Sequence, residues 1–202
     1  MKRYITVGKR IEGILVSICL LFVFLTGCGE VSLQNGTNLQ LEKDGGVTVT
    51  YIEEFPSDYY SIEELKLMNQ AEVDDYNAKH SVPVVEIIDT QTDGNKLTLI
   101  MHYNSVDDYG EMNDVVLFGG TVGQAVASGY DLHREFVEVK SDEKVSEINL
   151  DELSMNHIMI IDEAATIHTY SKILYVTEGV VVSQDKKMAT VTGEDRAVIV
   201  FK

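Results

Sequence analysis

The N-terminal 28 residues constrain this chain most, because an apolar run there ends directly at a cysteine. The run Ile14–Leu25 contains no charged residue, and Thr26, Gly27 and Cys28 follow it at once. Four basic residues precede the run: Lys2, Arg3, Lys9 and Arg10. This order of charged, apolar and small residues is typical of an export signal. We therefore expect residues 1–27 to be a signal peptide that is removed from the mature chain.

The four residues Leu25, Thr26, Gly27 and Cys28 resemble the lipobox of bacterial lipoprotein signals. The resemblance implies that a diacylglyceryl group with fatty acyl chains such as palmitate is attached to Cys28, which becomes the first mature residue. Two or more acyl chains anchor a protein stably, whereas one holds it only marginally. We predict a protein anchored through Cys28 to the cell membrane, on its extracytoplasmic side.

A retained transmembrane helix is the alternative for this stretch. A helical span needs roughly 20 apolar residues. The apolar run from Ile14 to Leu25 has only 12 and is followed by Gly27 and Gly29. The signal-peptide interpretation is therefore favoured.

The predicted mature chain is strongly acidic and lacks a cysteine pair. The whole chain has 16 basic and 33 acidic residues, and residues 1–27 take four basic and one acidic of these, which leaves a formal charge of −20. Such a field repels phosphate backbones, so we expect no nucleic-acid partner. Cys19 leaves with the signal and Cys28 carries the lipid, so no disulfide or thiol nucleophile is expected.

Patterning beyond the signal predicts an α+β fold, with a mostly antiparallel sheet, one main N-terminal amphipathic helix, short helices and a strand-rich C-terminal half. Residues 28–45 are polar and predict a flexible tether. Residues 46–202 then form a single domain, with a division into two lobes near residues 130–145 as the alternative.

The main helix is predicted to begin after Ser61. Ser61 and Glu64 match a capping box, and Tyr60 and Leu65 occupy the positions of a hydrophobic staple around it. The helix should extend to about Lys79 and bury one side made of Leu65, Met68, Val73 and Tyr76.

Turn and cap signals locate the remaining elements. Asp93-Gly94 predicts a hairpin between strands Val84–Ile88 and Lys96–Tyr103. Short helices are expected after Ser105 and Thr121, and near Leu150–Met155. The other predicted strands, of which the C-terminal ones should form a meander or a stack of hairpins, are Val47–Phe55, Val115–Phe118, Phe136–Val139, His157–Ile161, Ile173–Val176, Val180–Val182, Met188–Val191 and Ala197–Phe201.

Two loops imitate ligand-binding motifs, and each has a simpler explanation. Asp89–Gly94 begins like a calcium-binding EF-hand loop, but Ile100 stands where the closing Glu is required, so a hairpin turn is favoured. Gly119–Gly123 follows a predicted strand, but it matches neither G-x-G-x-x-G nor the Walker loop, so a tight turn is favoured.

Histidines and paired acids give no stronger signal. The five histidines have no metal-ligand spacing, and His102 could line a cleft with Asp107, although a solvated or core-edge histidine is favoured. Adjacent acids point to opposite faces of a strand and diverge on a helix, so we interpret the acidic doublets as solvated faces, with a weak divalent-cation site as the alternative. The doublets are Glu53-Glu54, Glu63-Glu64, Asp74-Asp75, Asp107-Asp108 and Asp162-Glu163. We therefore predict no catalytic residue, no metal site and no cofactor.

Several segments together resemble one group of proteins. These segments are Phe55-Pro56-x-x-Tyr59-Tyr60-Ser61-x-Glu63-Glu64-Leu65, Leu117–Val122, Gly129-Tyr130-Asp131 and Lys172–Val176. With the lipobox, they are similar to uncharacterised lipoproteins of anaerobic Gram-positive bacteria. The resemblance implies membrane anchoring through Cys28 and no particular activity.

Two functional hypotheses follow. The leading one is a noncatalytic binding or envelope module, and the alternative is an envelope hydrolase whose carboxylates and histidines converge only in the fold. Titratable groups with perturbed pKa values in one deep pocket would favour the hydrolase, whereas an open sheet face or a shallow groove would favour binding.

Overall fold

Two β-sheets contain most of the regular secondary structure in the computed structural model, which describes residues 33–54, 61–193 and 195–202. Strands and helices within those ranges, in chain order, are β1 (Gly36–Leu41), β2 (Val47–Glu54), α1 (Ile62–Asn77), β3 (Val85–Asp93), β4 (Lys96–Tyr103), α2 (Val106–Asn113), β5 (Leu117–Thr121), α3 (Val122–Ala127), β6 (Phe136–Glu138), β7 (Glu143–Val145), β8 (His157–Ile161), β9 (Ala165–His168), β10 (Ile173–Val176), β11 (Val181–Val182), β12 (Met188–Val191) and β13 (Ala197–Phe201).

Sheet A has seven strands in the order β11-β12-β9-β1-β2-β4-β3, and sheet B has six in the order β5-β8-β13-β10-β6-β7. The pair β1 and β9 is parallel, and each other pair is antiparallel. From β8 onward the chain alternates between the sheets, because β8, β10 and β13 belong to sheet B while β9, β11 and β12 belong to sheet A. The predicted meander or stack of hairpins closing one sheet is therefore wrong, although β11 and β12 do form one hairpin.

The strands β8 and β13 of sheet B are buried on both faces. In β8, Met159 and Ile161 belong to the core shared with sheet A, whereas Ile158 and Ile160 face a second core. The second core lies under α3 and the segment that follows it, with Val122, Ala125, Leu132, Phe136 and Ile148 as its members from these parts of the chain. Strands covered on both sides are continuously apolar instead of alternating, as β8 and β13 are.

The predicted α+β fold with one main amphipathic helix is wrong, because packing of one sheet on the other supplies the main core. Helix α1 does begin at the predicted residue, and the Ser61 Oγ accepts a hydrogen bond from the Glu64 amide at 3.4 Å. It buries only Val73 and Tyr76, and the predicted core residue Met68 is 61 % exposed. No described helix has the predicted role of a main amphipathic core element.

The tether predicted for residues 28–45 is wrong for residues 36–41, which form β1 in the middle of sheet A. Leu39 is fully buried and lies between Val49 of β2 and Ile167 of β9. The strand pairs with β2, which follows it directly in the sequence, and with the distant strand β9, which was not predicted. The described elements form one unit, Leu33–Lys202, so a domain starting at residue 46 would lack a central strand.

Local signals located several turns and caps correctly. β3 and β4 pair up to Asp93 and Lys96, so Gly94 and Asn95 form the predicted hairpin loop, with Gly94 at a φ of 59°. Ser105 caps α2, and Thr121 forms the full capping box of α3. The segment Leu150–Met155 forms turns instead of the predicted helix. Within the described ranges, no helix has the length and apolar character needed to cross a bilayer.

Leu39→Ala should destabilise the Leu33–Lys202 unit by about 2 to 5 kcal/mol, because it leaves a cavity at the centre of sheet A. Leu67→Ala is the matched control, since Leu67 is 72 % exposed and should change stability by less than about 0.5 kcal/mol. Chemical denaturation measures both values. Equal unfolding midpoints for Leu39→Ala and the unmodified unit would show that β1 is not part of the core.

Candidate functional site

A cavity of about 260 Å³ lies between α1, the strands β2 and β4, and the end of α2. We call it the tyrosine pocket; its lining residues are Tyr51, Glu53, Leu65, Asn69, Glu72, Leu97, Leu99, Met101, Tyr103, Met112 and Asn113. Apolar side chains and a few convergent polar groups are the usual composition of a small-molecule site.

Strand and helix periodicity explains why these residues share one surface. Every second residue of a strand points to the same face, and β4 contributes the alternating series from Leu97 to Tyr103. Tyr51 and Glu53 alternate in the same way on β2, where they pair with Leu99 and Leu97. On α1, the lining residues Leu65, Asn69 and Glu72 follow helical spacing.

Helix α1 is fixed mainly at its C-terminal end. The Asn77 carboxamide there accepts hydrogen bonds from the amides of Val84 and Val85 and donates one to the Val85 carbonyl, at 2.8 to 3.0 Å. The Tyr76 hydroxyl, one residue earlier, donates to Glu111 of α2 at 3.3 Å. The earlier turns of α1 have no residue of the buried core. They stand over sheet A with the tyrosine pocket beneath them.

Hydroxyl and carboxamide groups meet in this pocket. The hydroxyls of Tyr51 and Tyr103 lie 3.5 Å apart. The Tyr51 hydroxyl donates to Asn113 Oδ1 at 3.4 Å, and Asn113 Nδ2 donates to the Tyr103 hydroxyl, also at 3.4 Å. A shorter bond of 2.9 Å from Asn113 Nδ2 to the Tyr109 carbonyl fixes the carboxamide at the end of α2. The longer bonds are weak by geometric criteria, so a ligand could replace them at small cost.

A fully buried layer supports these groups from below. The rings of Tyr103 and Tyr109 make an edge contact with their centroids 5.1 Å apart and their planes at 82°. Such pairs add about 0.5–1.5 kcal/mol beyond the area that they bury. The Tyr109 hydroxyl donates to the Glu163 carboxyl group in the connection between β8 and β9. The support therefore joins both sheets and α2.

Burial raises the pKa of each of the three phenols. For Tyr51, electrostatic repulsion between its phenolate form and those of Tyr103 and Tyr109 raises the pKa further. For Tyr109, the Glu163 carboxyl group raises the pKa further. For Tyr103 the hydrogen bonds with Asn113 and Tyr51 partly oppose it. Burial likewise raises the pKa of Glu163. The phenols are neutral at physiological pH and can both donate and accept hydrogen bonds.

The lipobox residues Leu25, Thr26, Gly27 and Cys28 lie outside the described residues, as does the predicted staple residue Tyr60. The membrane anchor therefore stays a prediction.

The histidines make separate contacts in the fold. His102 Nε2 lies 3.7 Å from Glu42 Oε2, and His133 Nδ1 lies 3.9 Å from Glu147 Oε2. The His157 ring packs against Tyr170 and Phe201. Within the part of the chain that the structure describes, no three His, Cys, Asp or Glu side chains are grouped so that they could hold a metal ion.

The other sequence candidates take structural roles. Asp89–Gly94 belongs to the β3–β4 hairpin, as predicted. Gly119 and Gly120 lie in β5 and border a separate cavity of about 370 Å³. The adjacent acids Asp162 and Glu163 have different partners: Asp162 accepts a hydrogen bond from the Val116 amide at 2.9 Å, whereas Glu163 accepts from the Tyr109 hydroxyl. Both are half-buried, so the solvated-face interpretation is wrong for this doublet.

The sequence did not reveal the tyrosine pocket. The predicted strand Lys96–Tyr103 places Leu97, Leu99, Met101 and Tyr103 on one face by simple alternation. It did not show that α1 would lie across that face, or that Asn113 would reach the hydroxyls of Tyr51 and Tyr103. Those positions depend on contacts between residues 10 to 62 apart in the sequence.

Comparison with models of protein families, with curated proteins and with solved structures finds no match to this chain.

Proposed function

We propose that this chain is a lipid-anchored protein of the extracytoplasmic face of the cell membrane, and that its folded unit is a noncatalytic module that binds a small ligand in the tyrosine pocket. The proposed anchor is Cys28, on the basis of the signal-like segment and the lipobox that precede the folded unit. The observation that supports ligand binding is the pocket itself, an apolar cavity where neutral hydroxyl and carboxamide groups converge.

The pocket can contribute to affinity in two ways. Leu65, Leu97, Leu99 and Met112 can bury apolar parts of a ligand, at about 0.8 kcal/mol for each methylene group removed from water. The hydroxyl of Tyr51 and the carboxamide of Asn113 can replace their long mutual hydrogen bond by shorter bonds to a polar ligand group, at about 0.5–1.5 kcal/mol each. Fragment-sized ligands should therefore bind with dissociation constants on the order of 1 mM or below.

Binding is favoured over hydrolysis by the direction of the pKa changes. A general base or an activated nucleophile works best when its pKa lies near the ambient pH. Burial moves the pKa values of Tyr51 and Tyr103 further above neutrality. The hydroxyls are thus better suited to hydrogen bonding than to proton abstraction. The acid Glu163, which has a raised pKa, is engaged by Tyr109 and does not line the pocket.

Asn69→Trp should abolish fragment binding, because an indole on this turn of α1 would occupy the cavity. A fragment library screened by saturation-transfer NMR against the Leu33–Lys202 unit measures binding. Gln70→Trp is the matched control, since Gln70 is the exposed neighbour on the same helix and does not line the pocket. Fragments that bind the Asn69→Trp variant as well as the unmodified unit would show that the tyrosine pocket is not the binding site.

Cys28→Ala should prevent lipidation and leave the unprocessed precursor, because the sulfur that would carry the diacylglyceryl group is gone. Metabolic labelling with a radioactive or clickable fatty acid, followed by electrophoresis, measures acylation and processing together. Cys19→Ala is the control, since Cys19 lies inside the apolar run and its loss should change neither. A processed and acylated protein recovered from the Cys28→Ala variant would refute the proposed anchor.

A further inference from the structure

We infer that the ligand of the tyrosine pocket combines an apolar body with a protonated amine. This inference rests on the proposed function and specifies its ligand. The apolar body would lie against Leu97, Leu99 and Met112, and the ammonium group would lie between Glu53 and Glu72 and within reach of the hydroxyl and carboxamide oxygens.

Among the described residues, the two charged groups that line the pocket are both negative. Glu53 extends from β2 and Glu72 from α1, so carboxylates border the cavity on two different elements. No Lys, Arg or His is among the described residues that line it. Lys96 is near in sequence, but strand alternation places it on the face of sheet A opposite to Leu97. A cationic ligand would meet complementary charge there, and an anionic ligand would meet like charge.

The polar uncharged groups are also compatible with an ammonium ion. A primary ammonium has three N–H donors and no acceptor. The Tyr51 hydroxyl, the Asn113 carboxamide and the Asn69 carboxamide each offer an acceptor oxygen in the pocket. The Asn113 oxygen is held toward Tyr51 because its amide nitrogen is bonded to the Tyr109 carbonyl. Acceptors fixed before the ligand arrives cost less to engage than mobile ones.

The negative potential extends from the rim to the buried hydroxyls. Glu72 and Glu163 are among the groups whose charge raises the pKa of the Tyr103 phenol, in addition to burial. A field that disfavours a phenolate favours a cation at the same position. Because Glu53 and Glu72 are exposed, solvent screens them, and each should change the affinity for an amine by only about 2- to 5-fold.

Two probes of equal length separate charge from apolar contact. The Leu33–Lys202 unit is titrated at pH 7 and low ionic strength with hexylammonium and with 1-hexanol, and binding is followed by NMR of the Leu and Met methyl groups. Hexylammonium should bind about 5- to 20-fold more tightly than 1-hexanol, with shifts centred on Leu97, Leu99 and Met112. Raising the salt concentration should reduce this ratio.

Charge-neutral variants test whether the preference originates in the pocket. Glu53→Gln and Glu72→Gln should each reduce the ratio by about 2- to 5-fold, and the double variant should bring it close to one. Glu54→Gln and Glu63→Gln are matched controls on the same strand and the same helix. Both residues are exposed, and neither lines the pocket, so the ratio should stay unchanged.

Three results would overturn the inference. Equal or tighter binding of 1-hexanol would show that the pocket prefers neutral ligands, while binding itself would stand. A preference for the amine that persists in the double variant would assign it to the general acidity of the chain. If neither probe binds, the amine inference fails, and the fragment screen with the Asn69→Trp variant decides separately whether the pocket binds any ligand.

Discussion

The burial of β8 and β13, two strands of sheet B, on both faces is the constraint on which the rest of the structure depends. Ile199 in β13 packs toward sheet A, while its neighbours Val198 and Val200 pack into the second core. A strand of this kind needs two covering layers, because either apolar face would otherwise contact water. Sheet A covers one face, and α3 with the segment after it covers the other. The two sheets therefore form without help from a large helix.

This arrangement leaves only a small part of α1 in the core. Because sheet B already covers much of sheet A, α1 contributes only Val73 and Tyr76 to the core. The earlier turns of α1 are held over β2 and β4 without filling the space beneath them, and that space is the tyrosine pocket. A more amphipathic helix would have closed it with apolar side chains. The low burial of α1, which contradicts its predicted role, thus has the same physical origin as the candidate site.

Sequence patterns predicted the features that depend on neighbouring residues, namely helix caps and a hairpin turn. The Ser61 and Thr121 caps and the Gly94 turn each depend on residues within a few positions of one another, and each was located correctly. The division of strands between sheets depends on pairings across the chain, such as that of β1 with β9 more than a hundred residues later. Local polarity cannot reveal such pairings. Leu39 therefore looked like part of a tether, although it is fully buried.

The residues of the candidate site could not be identified from the sequence, because their grouping also depends on contacts across the chain. The acidic doublet Glu53-Glu54 was interpreted as a solvated face, and for Glu54 nothing in the fold changes this. Strand alternation gives Glu53 a different position, because it shares the pocket face of β2 with Tyr51. The formal charge of −20 on the predicted mature chain attracts cations diffusely and is screened by salt. Selectivity requires carboxylates beside apolar surface and oriented oxygens, and α1, β2 and α2 bring these together.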